Sequence, residues 1–215
     1  MSEYYLPGKV KKEILIHTYT CHPSMAINEL SGPLVAAFLA KELKKEKNRY
    51  FSYRFVFAPE TVGAISFLAK KGEYLKKNLI AGYICTCVGH QTQITYKESK
   101  IGSTIADYAV KKVFLTLKKL KKKIVKFSPS GSDERQYCSI GYNLPVGSLM
   151  RVPYGAYKEY HTSLDNKKII NFTSMYETII IYKKVFNFIE KNYFDLYKLN
   201  KNLNKRKKFF KKKYP

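Results

Sequence analysis

The sequence predicts an α/β fold of three layers, α/β/α, in which helices cover both faces of a mixed, largely parallel sheet. Short apolar runs carry the first part of that prediction: EILIH over 13–17, YRFVF over 53–57 and LIAGYICTCV over 79–88 have the length and content of buried strands. Each is followed by a stretch whose apolar residues recur at helical spacing. Strand and helix in alternation imply parallel strands joined by crossovers.

The first strand ends in a Pro-containing loop, and a helix follows it. Ser31 is placed to cap that helix, Pro33 falls in its first turn where a missing N–H costs little, and Leu34, Phe38, Leu39 and Leu43 make one apolar stripe. The strand Tyr53 to Phe57 stops at Ala58-Pro59, and a second helix begins near Val62 and runs to Lys71. Leu79 to Val88 reads as a third strand buried on both faces, and Ile101 to Lys122 as a long amphipathic helix ending in lysines. A short strand from Leu144 to Met150 and a final helix from about Phe172 to Asn192 complete the pattern. Residues 1–195 therefore form one domain, and the lysine-rich segment 196–215 is expected to be a disordered or loosely docked basic tail.

A length of 215 residues with 45% hydrophobic content suits one well-buried core. No run approaches the roughly 18 apolar residues of a membrane span, and the N-terminus lacks the apolar centre of a signal peptide, so the cytoplasm is the expected location. Cys21, Cys85, Cys87 and Cys138 show no CxxC spacing, which excludes a zinc ribbon and reads as reduced, mostly buried thiols. The net charge of +24 suggests nucleic acid, but only five of the forty basic residues are arginine. Phosphate clamps and base readers favour the planar arginine fork. The charge is therefore read as a lysine-rich surface, and nucleic acid is not the expected partner.

Two of the four histidines stand in dense polar loops, His22 in TCHPSMAINELSG and His161 in YKEYHTSLDN. Loops at the carboxyl edge of a sheet are where α/β sites form, and two imidazoles there are able to converge on one metal. Glu60, in APETVG directly after a strand, occupies the position of a general base beside such a metal. Asp133, in GSDERQYC, is placed to orient a ligand histidine or a substrate amine. Taken singly, a loop histidine is more often a surface or capping residue, Glu60 equally a first-turn helix residue, and Asp133 equally a cap.

The run TCHPSMAINELSGPLVAAFLAKEL, then YRFVFAPETVGAI, GSDERQYC with NLPVGSLMR, and YGAYKEYHTSLDN, taken in this order, resembles the aminopeptidase-like domain family of bacterial polysaccharide-biosynthesis proteins. That family is in turn similar to zinc aminopeptidases of the bacterial leucyl aminopeptidase type. The resemblance implies a metal-dependent hydrolase of amide bonds acting on a peptide, small-molecule or sugar-linked substrate. It implies metal ligands at His22 and His161 and a base at Glu60. Tyr154, Tyr157 and Tyr160 are candidates to shape a pocket for such a substrate, with simple surface tyrosines as the alternative.

The chain departs from the zinc pattern at three places. Asn28 stands where the metal-bridging aspartate is expected, Thr61 where a second metal-binding glutamate would follow Glu60, and the region of Thr86 supplies no further carboxylate. One zinc ion is thus expected rather than two. Either Glu29, displaced by one residue but longer, completes the ligand set, or Asn28 supplies a neutral oxygen. The same departures support a second expectation, a weak or inactive descendant that binds a small molecule or partner. Relatives of this type are generally longer, which implies a fragment or minimal version here.

Overall fold

In a computed structural model, which describes residues 1–213 with the side chains of 196 and 199–213 excepted, the chain forms seven strands and five α-helices. They run β1 (Ser2–Leu6), β2 (Glu13–Tyr19), α1 (Ser31–Lys45), β3 (Ser52–Ala58), α2 (Val62–Asn78), β4 (Leu79–Ile84), β5 (Ile94–Lys97), α3 (Ile105–Thr116), β6 (Lys122–Val125), α4 (Glu134–Tyr137), β7 (Val146–Met150) and α5 (Phe172–Lys213). One sheet has the order β1-β3-β2-β4-β7-β5-β6. Its centre, β3-β2-β4-β7, is parallel, with β2 pairing β3 from Glu13↔Ser52 to Tyr19↔Ala58. β1 runs antiparallel on one edge, and β5 with β6 runs against β7 on the other side. The mixed sheet with helices on both faces is the predicted α/β class.

Strand period decides the layers. Ile14 and Ile16 of β2 join Tyr53 and Phe55 of β3 in a cluster packed under α1, α3 and α5, whereas Leu15 and Val56 face α2 and α4 with Phe67, Leu68 and Tyr137. Both faces being covered explains why the central strands read as unbroken apolar runs. Because the central strands are parallel, Tyr19, Ala58, Ile84 and Met150 all end at one edge, and the polar loops leave from there.

Several expected details change. Ser31 does not cap α1: a π-helical turn over Ala26–Leu30 leads straight into the helix, and Ser31 Oγ donates to the Ile27 carbonyl at 2.6 Å and accepts Val88 N–H at 3.1 Å. The buried stripe of α1 is Val35, Ala36, Leu39, Ala40 and Leu43, while Phe38 is 54% exposed. The helix expected over Ile101–Lys122 is confined to Ile105–Thr116. A capping box fixes its start, with Thr104 and Asp107 each satisfying the other's backbone. The lysines after it belong partly to β6, an edge strand, where lysine discourages further pairing. The third strand stops at Ile84, and α5 continues past Asn192 to Lys213. The expectation of a loose tail over 196–215 falls almost wholly outside the described side chains.

Candidate metal centre

The carboxyl edge of the parallel strands brings the loop after β2, the turn after β3 and the loop before α5 together. The first is fastened by Asp165, which is 1% exposed. Its carboxylate accepts the N–H groups of Ala26 (3.2 Å), Ile27 (2.7 Å) and Asn28 (3.0 Å) and the Tyr157 hydroxyl (2.8 Å). Those amides are the unsatisfied donors at the start of the π-helical turn, so an acidic acceptor belongs there. Sequence reasoning missed Asp165. Its only local signal is an acidic residue four positions after His161.

This fastening brings the two predicted histidines side by side, with the rings of His22 and His161 centred 4.8 Å apart. His161 sits at φ 56° and stacks on Tyr160 at 4.0 Å. Burial, then the neighbouring His22, lowers the pKa of His161 and favours the neutral ring a metal requires. His22 Nδ1 lies 3.0 Å from Glu29 Oε2 and 3.3 Å from Cys21 Sγ. The carboxylate is the stronger acceptor and takes the Nδ1 proton, which leaves the Nε2 lone pair facing Glu60 Oε2 at 3.9 Å. Glu29 thus holds the ring of His22. Asn28 is buried, and neither of its amide atoms completes a hydrogen bond.

Glu60 is aimed by a strained turn. Val62 N–H donates to the Glu60 carbonyl at 2.7 Å across Thr61, whose φ of 62° and ψ of −70° make a γ-turn of the rare hand. Segment 132–135 holds the turn from behind. Ser132 Oγ donates to Glu60 Oε1 (2.6 Å), Asp133 Oδ1 accepts Thr61 N–H (2.7 Å), and Arg135 Nη2 donates to Thr61 Oγ1 (3.3 Å). Burial raises the pKa of Glu60, and the carboxylate of Asp133 adds to it. Such a group is a stronger base than a free glutamate.

Asp133 does not orient His22 or His161. It is fully buried, and its Oδ2 lies 3.0 Å from Nε2 of His17, a strand residue whose Nδ1 meets the Tyr137 hydroxyl at 2.6 Å. Asp133 is therefore a positioning residue behind Glu60. His17 escaped notice because it sits within an apolar strand. Thr61 and Thr86 offer no second set of charged ligands: Thr86 Oγ1 hydrogen-bonds the Tyr19 hydroxyl (2.6 Å) and the Asn28 carbonyl (3.0 Å).

Among the described residues, one group of three His, Cys, Asp or Glu donors is close enough to share an ion. It comprises Cys21, His22 and Glu60, with ligand atoms within 4.8 Å of one another. The donor set fits a single N/S/O-bound ion such as zinc. Beside it opens a cleft of about 800 Å³, lined by Cys21, His22, Met25, Glu29, Pro33 and Asn166. Tyr154, Tyr157 and Tyr160 do not line this cleft: Tyr157 is buried with its hydroxyl on Asp165, Tyr154 donates to Glu134 at 3.4 Å, and Tyr160 stacks on His161.

The sheet order and the edge on which the loops gather define an aminopeptidase-like α/β fold, and comparison with known proteins agrees. The chain belongs to a family described as a domain of unknown function, DUF4910, whose model matches residues 1–192. It is 45% identical over 190 residues to a Clostridium acetobutylicum protein named "Putative polysaccharide biosynthesis protein with aminopeptidase-like domain", covering 88% of this chain and 43% of that one. It is similar to a crystal structure of a "putative peptidase" from the same organism, at 43% identity and TM-score 0.83, covering 87% of this chain and 44% of the other. A zinc aminopeptidase of Bacillus subtilis shares the fold at 13% identity and TM-score 0.70, with coverages of 85% and 47%. The chain thus spans less than half the length of these relatives. Among the described residues no helix is long and apolar enough to cross a membrane.

Proposed function

We propose that this chain carries the metal-dependent centre of an aminopeptidase-like hydrolase of amide bonds, holding one zinc ion. The observation that carries the reading is that His22, at the carboxyl edge of the parallel strands, meets both Glu60 (3.9 Å) and the ring of His161 (centres 4.8 Å apart), from loops far apart in sequence. A zinc ion there would supply Lewis acidity toward a carbonyl. Glu60 takes the proton of an attacking water on Oε2 and passes it to the leaving amine, while Ser132 fixes the other oxygen. Glu29 keeps the His22 ring in its tautomer, and Tyr160 backs His161. The cleft beside Met25 and Pro33 receives an apolar part of the substrate. The name of the Clostridium relative supports a peptide or sugar-linked substrate in polysaccharide assembly.

Zinc uptake by the metal-free protein, measured together with hydrolysis of a panel of aminoacyl 4-nitroanilides, tests this. Glu60→Gln is expected to keep the metal and lose on the order of 10²- to 10⁴-fold in rate. Absence of both uptake and hydrolysis overturns the reading. A second reading, a centre that binds ligand without turnover, is favoured by the neutral Asn28 and Thr61. It predicts zinc uptake with no hydrolysis of any amide in the panel.

A further inference from the structure

The candidate centre has an unbalanced donor set. His22 and His161 are neutral ligands, Asn28 is a neutral amide, and Glu29 is turned toward His22 Nδ1. Glu60 is held by Ser132 in the place of a base. A divalent ion bound by two imidazoles alone has no anionic partner.

One donor that becomes anionic on binding a metal remains at this edge, the side chain next to His22. Cys21 is the exposed cysteine, while Cys85, Cys87 and Cys138 are buried. Its sulfur accepts the backbone N–H of Glu60 at 3.1 Å and is within 4.8 Å of both a ring nitrogen of His22 and a carboxylate oxygen of Glu60. Zinc–sulfur and zinc–nitrogen bonds of about 2.3 and 2.0 Å at tetrahedral angles set neighbouring donors about 3.5 Å apart. Here the donors of Cys21, His22 and Glu60 lie within 4.8 Å of one another, and the His161 ring is centred 4.8 Å from that of His22. Two further polar groups at this edge stand without a hydrogen-bond partner: the buried Asn28 amide and Oε1 of Glu29.

We propose that Cys21 is a metal ligand, so that the centre is a thiolate–imidazole–imidazole site of Cys21, His22 and His161 with Glu60 free as proton acceptor. The proposal rests on the metal-centre reading above and changes its chemistry: a thiolate replaces the carboxylates of a zinc aminopeptidase pattern and favours softer ions.

Cobalt(II) as a spectroscopic substitute for zinc tests it without any substrate. Metal-free full-length chain titrated with cobalt is expected to develop a near-ultraviolet sulfur-to-cobalt charge-transfer band saturating at one ion. Cys21→Ser is expected to abolish the band and weaken zinc binding at least tenfold in competition with a chromophoric chelator. Cobalt bound without that band, and unchanged in Cys21→Ser, overturns Cys21 as a ligand while leaving the metal centre intact. If neither cobalt nor zinc binds, the metal-centre reading falls with it. Protection gives a second measure should the serine variant misfold: stoichiometric zinc is expected to block thiol labelling of Cys21 in the native chain and not in His22→Ala. Labelling at the same rate with and without bound zinc also overturns the proposal.

Discussion

Asp133 Oδ1 accepts the backbone N–H of Thr61 at 2.7 Å, which couples a fully buried carboxylate to the turn that aims Glu60. The same carboxylate lies 3.0 Å from the buried ring of His17, so its removal takes an acceptor from the half-buried Thr61 amide and a counter-charge from a buried imidazole. Asp133→Ala is expected to lower unfolding free energy by about 3 kcal/mol, since each orphaned buried group costs about 1–3 kcal/mol. Urea denaturation monitored by far-ultraviolet circular dichroism gives the number. A loss under 1 kcal/mol would mean the network is not holding the turn.

Thr61 carries the strain that this network offsets. A non-glycine residue in such a conformation costs about 1–3 kcal/mol, whereas glycine's extra freedom costs about 0.5–1 kcal/mol. Thr61→Gly should therefore gain stability, by up to about 1 kcal/mol after the Arg135 contact is lost. The midpoint of urea unfolding decides it, and a drop instead of a rise refutes the strain.

Asp165 is expected to matter as much as either histidine, for a structural reason. Asp165→Asn removes the charge from four hydrogen bonds, three of them to backbone amides, and should cost about 2–3 kcal/mol. Hydrogen exchange should show Ala26, Ile27 and Asn28 losing protection before the sheet does. Uniform loss across the whole molecule would contradict a local role.

Gly32 is the point where α1 touches the sheet. A Cβ there would meet the Cys85 carbonyl at 2.4 Å and Thr18 Oγ1 at 2.5 Å. Gly32→Ala should cost about 1–3 kcal/mol by forcing the helix off β2 and β4, read from thermal unfolding. A neutral effect would show that the helix is loosely seated.

Thiol reactivity separates Cys21 from its fellows. Burial pushes Cys85 and Cys87 up to about 12, and raises Cys138 and, less deeply placed, Cys21. Only the thiolate reacts, so near pH 8 the native metal-free chain should label at Cys21 alone, more slowly than a free thiol, and at all four sites once unfolded. Rapid labelling at Cys85 or Cys87 in the native state would show the sheet edge to be open.

The central strands were legible because they are buried on both faces and read as continuous apolar runs. The edges were not. β1 is SEYYL with four exposed positions, and β6 is KKIV among lysines that mimic a solvated helix face. The site divides in the same way. His22, Glu60 and His161 lie in polar loops directly beside strand ends, where local sequence marks them. Asp165 and the pairing of Asp133 with His17 act over 137–139 and 116 positions of separation, beyond any local pattern. Ser31 deceived because a hydroxyl before an apolar stripe looks like a cap whether it faces its own helix or the preceding turn and a neighbouring loop.

The grip of Asp165 on Ala26, Ile27 and Asn28 also orders events in time. During synthesis β2, β3 and β4 can pair long before residue 165 leaves the ribosome, and each closure among them spans a shorter loop. The four Asp165 hydrogen bonds that hold the far side of the loop bearing Cys21 and His22 form only then. The strands that lead into His22 and Glu60 are therefore paired early, and the reactive edge is fastened later, by a residue that follows β7.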